Sequence, residues 1–301
     1  MNVQRVSKMA AWCGIWLMQS ALADGSVGTG STNTQVCVAE KSERPFFEVA
    51  FDFCTRQLTY GLVDNREPVM AAKAAVAWHG LTFDCTMIFD TTKWGEKHGG
   101  YGNRKGTYQE LAFGPGYACA VSPDDFALLP TTVELFVNHI YEYHPRVNAR
   151  NGEENPDTRF VNAGMALPDL WLAPILAAEF DIDNECGAVY VLGDVGHTFA
   201  LVKAAEGRET DPLSLTLCAG VGLGNAKRNR YDAAFDAWAF KDIHCSVSLD
   251  WNVTDRLAVS PYVAVYEQLH RRLREAARTY IDGEEHASTQ VVGGLALNAC
   301  F

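Results

Sequence analysis

No run of about 18 apolar residues occurs in these 301 residues, so no helix is expected to cross a membrane. Cysteine appears nine times, but never as Cys-x-x-Cys and never clustered with histidine at zinc spacing. No metal site is therefore expected. No Gly-x-Ser-x-Gly elbow occurs, and no serine stands at a fixed spacing from a histidine with an orienting acid. The chain is not read as an enzyme, and no catalytic residue is assigned. No glycine-rich loop leads into a helix, which excludes a phosphate cradle, and no cofactor is expected. Positive charge is scarce: 25 Lys and Arg stand against 37 Asp and Glu, a formal net charge of −12. That balance excludes nucleic acid as a partner.

What is present begins with an export signal. Arg5 and Lys8 precede an apolar run from Met9 to Met18, followed by Ala21-Leu22-Ala23. This is a basic n-region, an h-region and a small-x-small cleavage site. Residues 1–23 are expected to be a signal peptide cleaved after Ala23. Residues 24–45 are rich in Gly, Ser and Thr at their start and are expected to form a flexible lead-in. An exported chain with this many cysteines invites a disulfide framework. Cys54, Cys85, Cys119, Cys218, Cys245 and Cys300 instead lie singly in separate strand-like segments, and most are expected to act as small apolar fillers.

From Phe46 onward the dominant pattern is alternation with period two, the mark of β-strands with one apolar face. Phe47, Val49, Phe51 and Phe53 alternate with Glu48, Ala50, Asp52 and Cys54. Leu213, Leu215, Leu217, Ala219, Val221 and Leu223 alternate with Ser214, Thr216, Cys218, Gly220, Gly222 and Gly224. His79-Gly80 between two such runs signals a hairpin. Repeated along the chain, the pattern gives twelve strands, the last from Ala287 to Phe301. Connections alternate between short and long, with 182–186 short where a long loop is due. The stretch 225–237 is expected to be a loop, and Leu273–Tyr280 within the charged stretch 269–286 a short helix. An even strand count with alternating connection lengths fits a closed membrane barrel. The fold class is therefore all-β: a twelve-stranded antiparallel transmembrane up-and-down β-barrel over residues 46–301, with short periplasmic turns and longer extracellular loops.

Alternation alone does not say which face points outward. In a soluble sandwich the apolar face would point inward; in a membrane barrel it meets lipid. Three features favour the barrel. The opposite faces are rich in Gly, Ala and Ser. Aromatics gather near strand ends at Trp78, Tyr141, Tyr143, Trp171, Trp251 and Phe301. The last strand ends on Phe301 in phase with Leu295 and Leu297, and these three are expected to carry the signal read by the barrel-assembly machinery. The expected location is the bacterial outer membrane, with its lipid as partner.

Phe51-Asp52-Phe53-Cys54-Thr55-Arg56-Gln57-Leu58-Thr59-Tyr60-Gly61, followed by Glu67-Pro68-Val69, resembles the opening of the TorF-type porin family. Members run a strand into Ser-Lys-Tyr-x-x-Arg-Gly before a proline-bearing step. Thr55, Arg56 and Gly61 match by type or identity, while Gln57 and Tyr60 depart. Gly193-Asp194-Val195-Gly196-His197-Thr198-Phe199 is similar to the family's eighth strand. The resemblance implies a twelve-stranded outer-membrane barrel of porin type, and it supplies no solute.

On this facing the lumen holds Glu48, Asp52, Asp84, Glu110, Glu134, Glu179, Asp242 and Asp250 against Lys73, with Arg56 near the outer mouth. An open acidic lumen would favour cations. The leading reading is a channel for small solutes with a cation-favouring lumen. A closed barrel that binds or scaffolds through its outer loops is the alternative, and lumen acids would then be hydrogen-bonded packing groups. A lipid-modifying barrel enzyme is a more distant one, resting on the outward histidines His139 and His197.

Overall fold

The computed structural model describes residues 45–59, 62–65, 67–92, 108–126, 128–143, 147–148, 153–154, 157–277 and 288–301. The signal peptide and residues 24–44, with Cys37, lie outside these. Among the described residues twelve strands close into one antiparallel barrel. They are β1 (Phe46–Cys54), β2 (Val69–Trp78), β3 (Leu81–Asp90), β4 (Tyr108–Val121), β5 (Val133–Tyr143) and β6 (Thr158–Ala166). Then follow β7 (Ile175–Asp181), β8 (Val189–Val202), β9 (Leu213–Gly224), β10 (Ala239–Thr254), β11 (Leu257–Gln268) and β12 (Thr289–Cys300). Each pairs with its neighbours in sequence, and β12 returns to pair with β1. Two small hairpins, Gln57–Thr59 with Leu62–Asn65 and Val147–Asn148 with Glu153–Glu154, stand in the connections.

The connections sort by end. One end, here the turn end, holds 79–80, 122–132, 167–174, 203–212 and 255–256 together with the start of β1 and the end of β12. The other, the loop end, holds 55–68, 91–107, 144–157, 182–188, 225–238 and 269–288. Closure is completed by the last residue: the Phe301 N–H donates to the Phe47 carbonyl at 2.9 Å, and Phe47 N–H donates back at 3.2 Å. Leu297 sits opposite Phe51 and Leu295 opposite Phe53, so the apolar faces of first and last strands are in phase. Closure leaves none of the twelve barrel strands with an unpaired edge, which matters where water cannot satisfy the backbone.

The barrel is inverted relative to a soluble protein. Its exterior is a continuous apolar band that includes Phe47, Phe51, Phe83, Leu135, Val195, Leu217, Val247, Val263 and Leu295, all exposed. Its interior is where the polar side chains are buried, among them Glu134, Asn162, Glu179, Asp242, Asp250 and Gln268. Trp78, Trp171, Trp251 and Phe301 ring the turn end on the outside, and Tyr143, Trp238 and Phe240 the loop end. Amphipathic rings at both rims of an apolar band match a lipid–water boundary on each side.

Three details depart from plain alternation. The stretch 225–237 is not a loop throughout but carries helix α1 (Ala226–Ala233). The short helix expected from Leu273 is α2 (Arg271–Ala277), beginning two residues earlier, and 278–287 lies outside the described residues. Strand β10 is bulged: Asp242 pairs with Gly222 and Phe240 with Leu223, so one extra residue is accommodated between them. That residue, Lys241, would share the outward face of Ile243 on simple alternation, yet it is fully buried inside.

The described cysteines form no disulfide with one another. Cys54 and Cys300 are buried in the inner wall, whereas Cys245 is exposed on the outer face.

Candidate functional site: the barrel interior and its loop-end mouth

Glycines on the inward face make room for polar side chains from neighbouring strands. On β9, a Cβ at Gly220 would lie 1.6 Å from Asp194 Oδ1 and 2.6 Å from His244 Nε2. At Gly222 it would lie 2.0 Å from the Tyr190 hydroxyl, and at Gly224 2.4 Å from Asn229 Oδ1. Side chains of β8 and β10 therefore lie across β9 and meet over its glycines. His244 Nε2 stands 3.1 Å from Asp194 Oδ1, and its Nδ1 3.4 Å from Asp242 Oδ1. The Tyr190 hydroxyl donates to Asp242 at 3.0 Å. Nearer the turn end, Asp250 accepts from the Thr216 hydroxyl at 2.7 Å and from Ser248 at 3.1 Å.

Helix α1 completes this wall. Asn225 caps it by accepting the Arg228 N–H at 2.8 Å, and Ala234 ends it in the left-handed region at φ 49°. Arg228, Asn229 and Asp232 fall on one face at helical spacing, and that face is buried. Arg228 donates to Glu179 at 2.6 Å, and Lys241 pairs with Asp232. Asn229 donates to the carbonyls of Gly224 and Ala237, at 2.9 and 2.8 Å. Helix α2 packs on α1. Leu273 is fully buried there, and the His270 ring stacks on Phe235 with centroids 4.2 Å apart. The two helices thus cover the loop end over the β7–β11 side.

The opposite wall is built differently. Glu48, Ala75 and Asp84 occupy one row across β1, β2 and β3. Lys73 is the next inward residue on β2, and its ammonium interacts with both acids. Asp52 accepts from the Tyr262 hydroxyl at 2.9 and 3.1 Å. Tyr262 belongs to β11 and reaches β1 by passing over Gly294 of β12, where a Cβ would lie 2.3 Å from the ring. The Arg56 guanidinium donates to Gln290 Oε1 at 2.7 Å near the loop end of the same seam. Glu110 is buried at the loop end of β4, and Glu134 at the turn end of β5.

The ten residues singled out in the lumen therefore sort into two groups. Glu48, Asp52, Arg56, Lys73, Asp84, Glu110 and Glu134 line the wall from β12 through β1 to β5. Glu179, Asp242 and Asp250 belong to the β7–β10 wall, where Glu179 has an arginine partner and Asp242 a histidine. Alternation did not place Arg228, Asp232 or Lys241 in the interior. The Asn225 cap before Lys227-Arg228 was a readable helix-start signal; the bulge carrying Lys241 had none. Leu295, Leu297 and Phe301 all face outward and are exposed.

His139 and His197 do face outward on β5 and β8. His197 Nδ1 lies 2.6 Å from the Trp171 carbonyl, and its ring packs against Trp171 and Phe199 at 5.0 and 4.5 Å. That is the setting of a rim residue.

No family model and no curated protein matches the chain. Among solved structures, an outer membrane channel from Pseudomonas putida F1 is 9% identical, with 85% of this chain and 95% of that chain covered and a TM-score of 0.45. The KdgM porin is 8% identical over 85% of this chain and 99% of that chain, with a TM-score of 0.43. The outer membrane protein Omp33 of Acinetobacter baumannii is 9% identical over 85% of this chain and 96% of that chain, with a TM-score of 0.35.

Proposed function

We propose that the chain is a bacterial outer-membrane porin, of the TorF type, whose narrow acidic lumen passes small solutes and favours cations. The observation that carries this reading is the contrast between exterior and interior. The outside is an unbroken apolar band, and the wall from β1 to β5 turns Glu48, Asp52, Asp84, Glu110 and Glu134 inward against Lys73. A carboxylate-lined bore in a low-dielectric wall attracts cations and repels anions. Export with cleavage after Ala23, insertion by the barrel-assembly machinery through Leu295, Leu297 and Phe301, and outer-membrane lipid as the surrounding partner belong to the same reading. The turn end then faces the periplasm and the loop end the exterior.

A second reading has its own observation. Many inward side chains are shielded from solvent, and α1 and α2 cover part of the loop end. A barrel closed in this way would act by binding through its loops. Planar-bilayer recording separates the two. The channel reading expects single-channel steps and a reversal potential in a KCl gradient that reports cation preference. Glu48→Gln with Glu134→Gln should lower that preference. An electrically silent barrel that is folded by heat-dependent gel migration would leave the scaffold reading standing, and unchanged selectivity in the double variant would remove the acidic-wall argument.

A further inference from the structure

Helix α2 reverses the charge balance of the chain. The whole sequence holds 25 Lys and Arg against 37 Asp and Glu. Helix α2 (Arg271–Ala277) holds Arg271, Arg272 and Arg274 against the single acid Glu275. Its anchor is Leu273, fully buried. Each residue turns a helix by about 100°, so the three arginines spread over the half opposite Leu273. All three are exposed, and so is Glu275. Arg271 and Arg274, three positions apart, leave the same face.

The acids around this face have other duties. Asp236 is paired with Arg230, and Glu267 accepts from the hydroxyls of Ser288 and Thr289. Arg271 donates to Glu275 at 2.8 Å, but the Arg271 side chain is 85% exposed. A pair so open is screened and parts at little cost. The Arg272 guanidinium lies over the Phe235 ring, 5.9 Å from its centroid, which holds it against α1. Among the described residues no acid pairs with Arg272 or Arg274.

Position selects the partner. Asp242 of β10 sits opposite Gln268 of β11, so α2 begins just beyond the loop end of that strand pair. Trp238, Phe240 and Leu269 are exposed on the outer face at the same end. The Leu269 N–H is tied to the Lys241 carbonyl at 2.9 Å, and Arg271 follows two residues later. The arginines therefore stand at the level of lipid headgroups, directly above an apolar surface. Basic clusters at that level attract anionic headgroups, and arginine forks match phosphate oxygens. A molecule with an acyl tail and a phosphate head meets both surfaces at once, whereas a soluble anion meets only the arginines.

We propose that the outer face of α2 docks the phosphorylated headgroup of an outer-leaflet lipid, with Arg271 and Arg274 as its phosphate ligands and Arg272 as a third charge beside them. The inference rests on the orientation given above, loop end outward, and is independent of conduction.

The purified full barrel in detergent tests it by titration with the phosphorylated glycolipid of the outer leaflet, with the same lipid stripped of phosphate, and with inorganic phosphate. The phosphorylated lipid should bind several-fold more tightly than the stripped one, and millimolar inorganic phosphate should not displace it. Arg271→Gln with Arg274→Gln should abolish that preference and leave heat-dependent gel migration unchanged. Equal binding of the two lipids, displacement by inorganic phosphate, or an unaltered preference in the folded double variant would each overturn the site. Orientation is read separately with a membrane-impermeant maleimide, since Cys186 is exposed at the loop end. Labelling of intact cells that disappears in Cys186→Ser is expected. Labelling only after the cells are opened would sink the orientation and the outer-leaflet assignment, while the phosphate preference would stand.

Discussion

The wall from β7 to β10 and the wall from β1 to β5 are made from the same alternating pattern, yet they draw the partners of their acids from different places. On the first, each principal acid has a local answer: Glu179 has Arg228, Asp232 has Lys241, Asp242 and Asp194 share His244, and Asp250 takes two hydroxyls. On the second, Glu48 and Asp84 share Lys73, and Asp52 has the Tyr262 hydroxyl. The difference comes from a loop. Helix α1 folds a polar face into the barrel over β7–β10, and it brings Arg228 and Asp232 from outside the strands. One wall becomes a compact, ion-paired support for the loop-end cover. The other carries its acids on the strands themselves, with Lys73 of β2 beside Glu48 and Asp84.

The contrast is broken most severely at the glycines that make room for the paired wall. Gly220→Val would place side-chain atoms where Asp194 and His244 now lie. Something must shift at a Cβ distance of 1.6 Å, and because the atoms met are the buried ends of Asp194 and His244, the change forces that pair apart inside the barrel as well as overpacking it. Loss of the fast-migrating folded band in unheated gels is expected, whereas the same change at Gly193, with nothing within 4 Å of its Cβ, should fold.

Removing one partner of the buried pair comes next. Arg228→Ala removes the guanidinium that pairs with the buried Glu179, a change that costs roughly 3–5 kcal/mol in comparable cases. A lower unfolding midpoint in urea should report it. Arg228→Met combined with Glu179→Leu should recover most of the loss, because both charges of the pair are then removed together. A double variant no more stable than the single one would show that α1 is held by other contacts.

The smallest effect is expected on the exposed face of the same helix. Arg230 and Asp236 are paired at 2.5 Å but both are well exposed. Exposed pairs are screened and contribute little. Asp236→Asn should leave the unfolding midpoint within error at physiological salt; a clear drop would mean that the outer face of α1 also holds the cover in place.

The strands were legible because a strand with one face toward an apolar phase has few choices. Phe47, Phe51 and Phe53 must share a face, and Glu48 and Asp52 must share the other. The His79-Gly80 turn was readable as well, since His79 adopts φ 49° and Gly80 φ 82° in the tight connection. The candidate site was only half legible. Glu179 and Asp242 were recognisable as inward, but nothing in their own strands announced their partners. Lys241 reads as an outward residue until the β9–β10 pairing shows a bulge. Tyr262 reads as one more lumen tyrosine until Gly294, 32 positions along, is seen to give it passage to Asp52. The run Gly220, Gly222, Gly224 reads as a bland small face, because the side chains that fill it come from Tyr190, Asp194, Asn229, Asp242 and His244.

The sequence by itself determined the period-two pattern, the strand count and the sorting of apolar from polar faces, since each follows from side chains that alternate along one strand. Only the tertiary structure decided which partners the inward acids of β7–β10 meet. That outcome depends on a bulge, on a helix folded back over the wall, and on side chains crossing glycines of the next strand. These are relations between segments distant in the chain, and no local pattern encodes them.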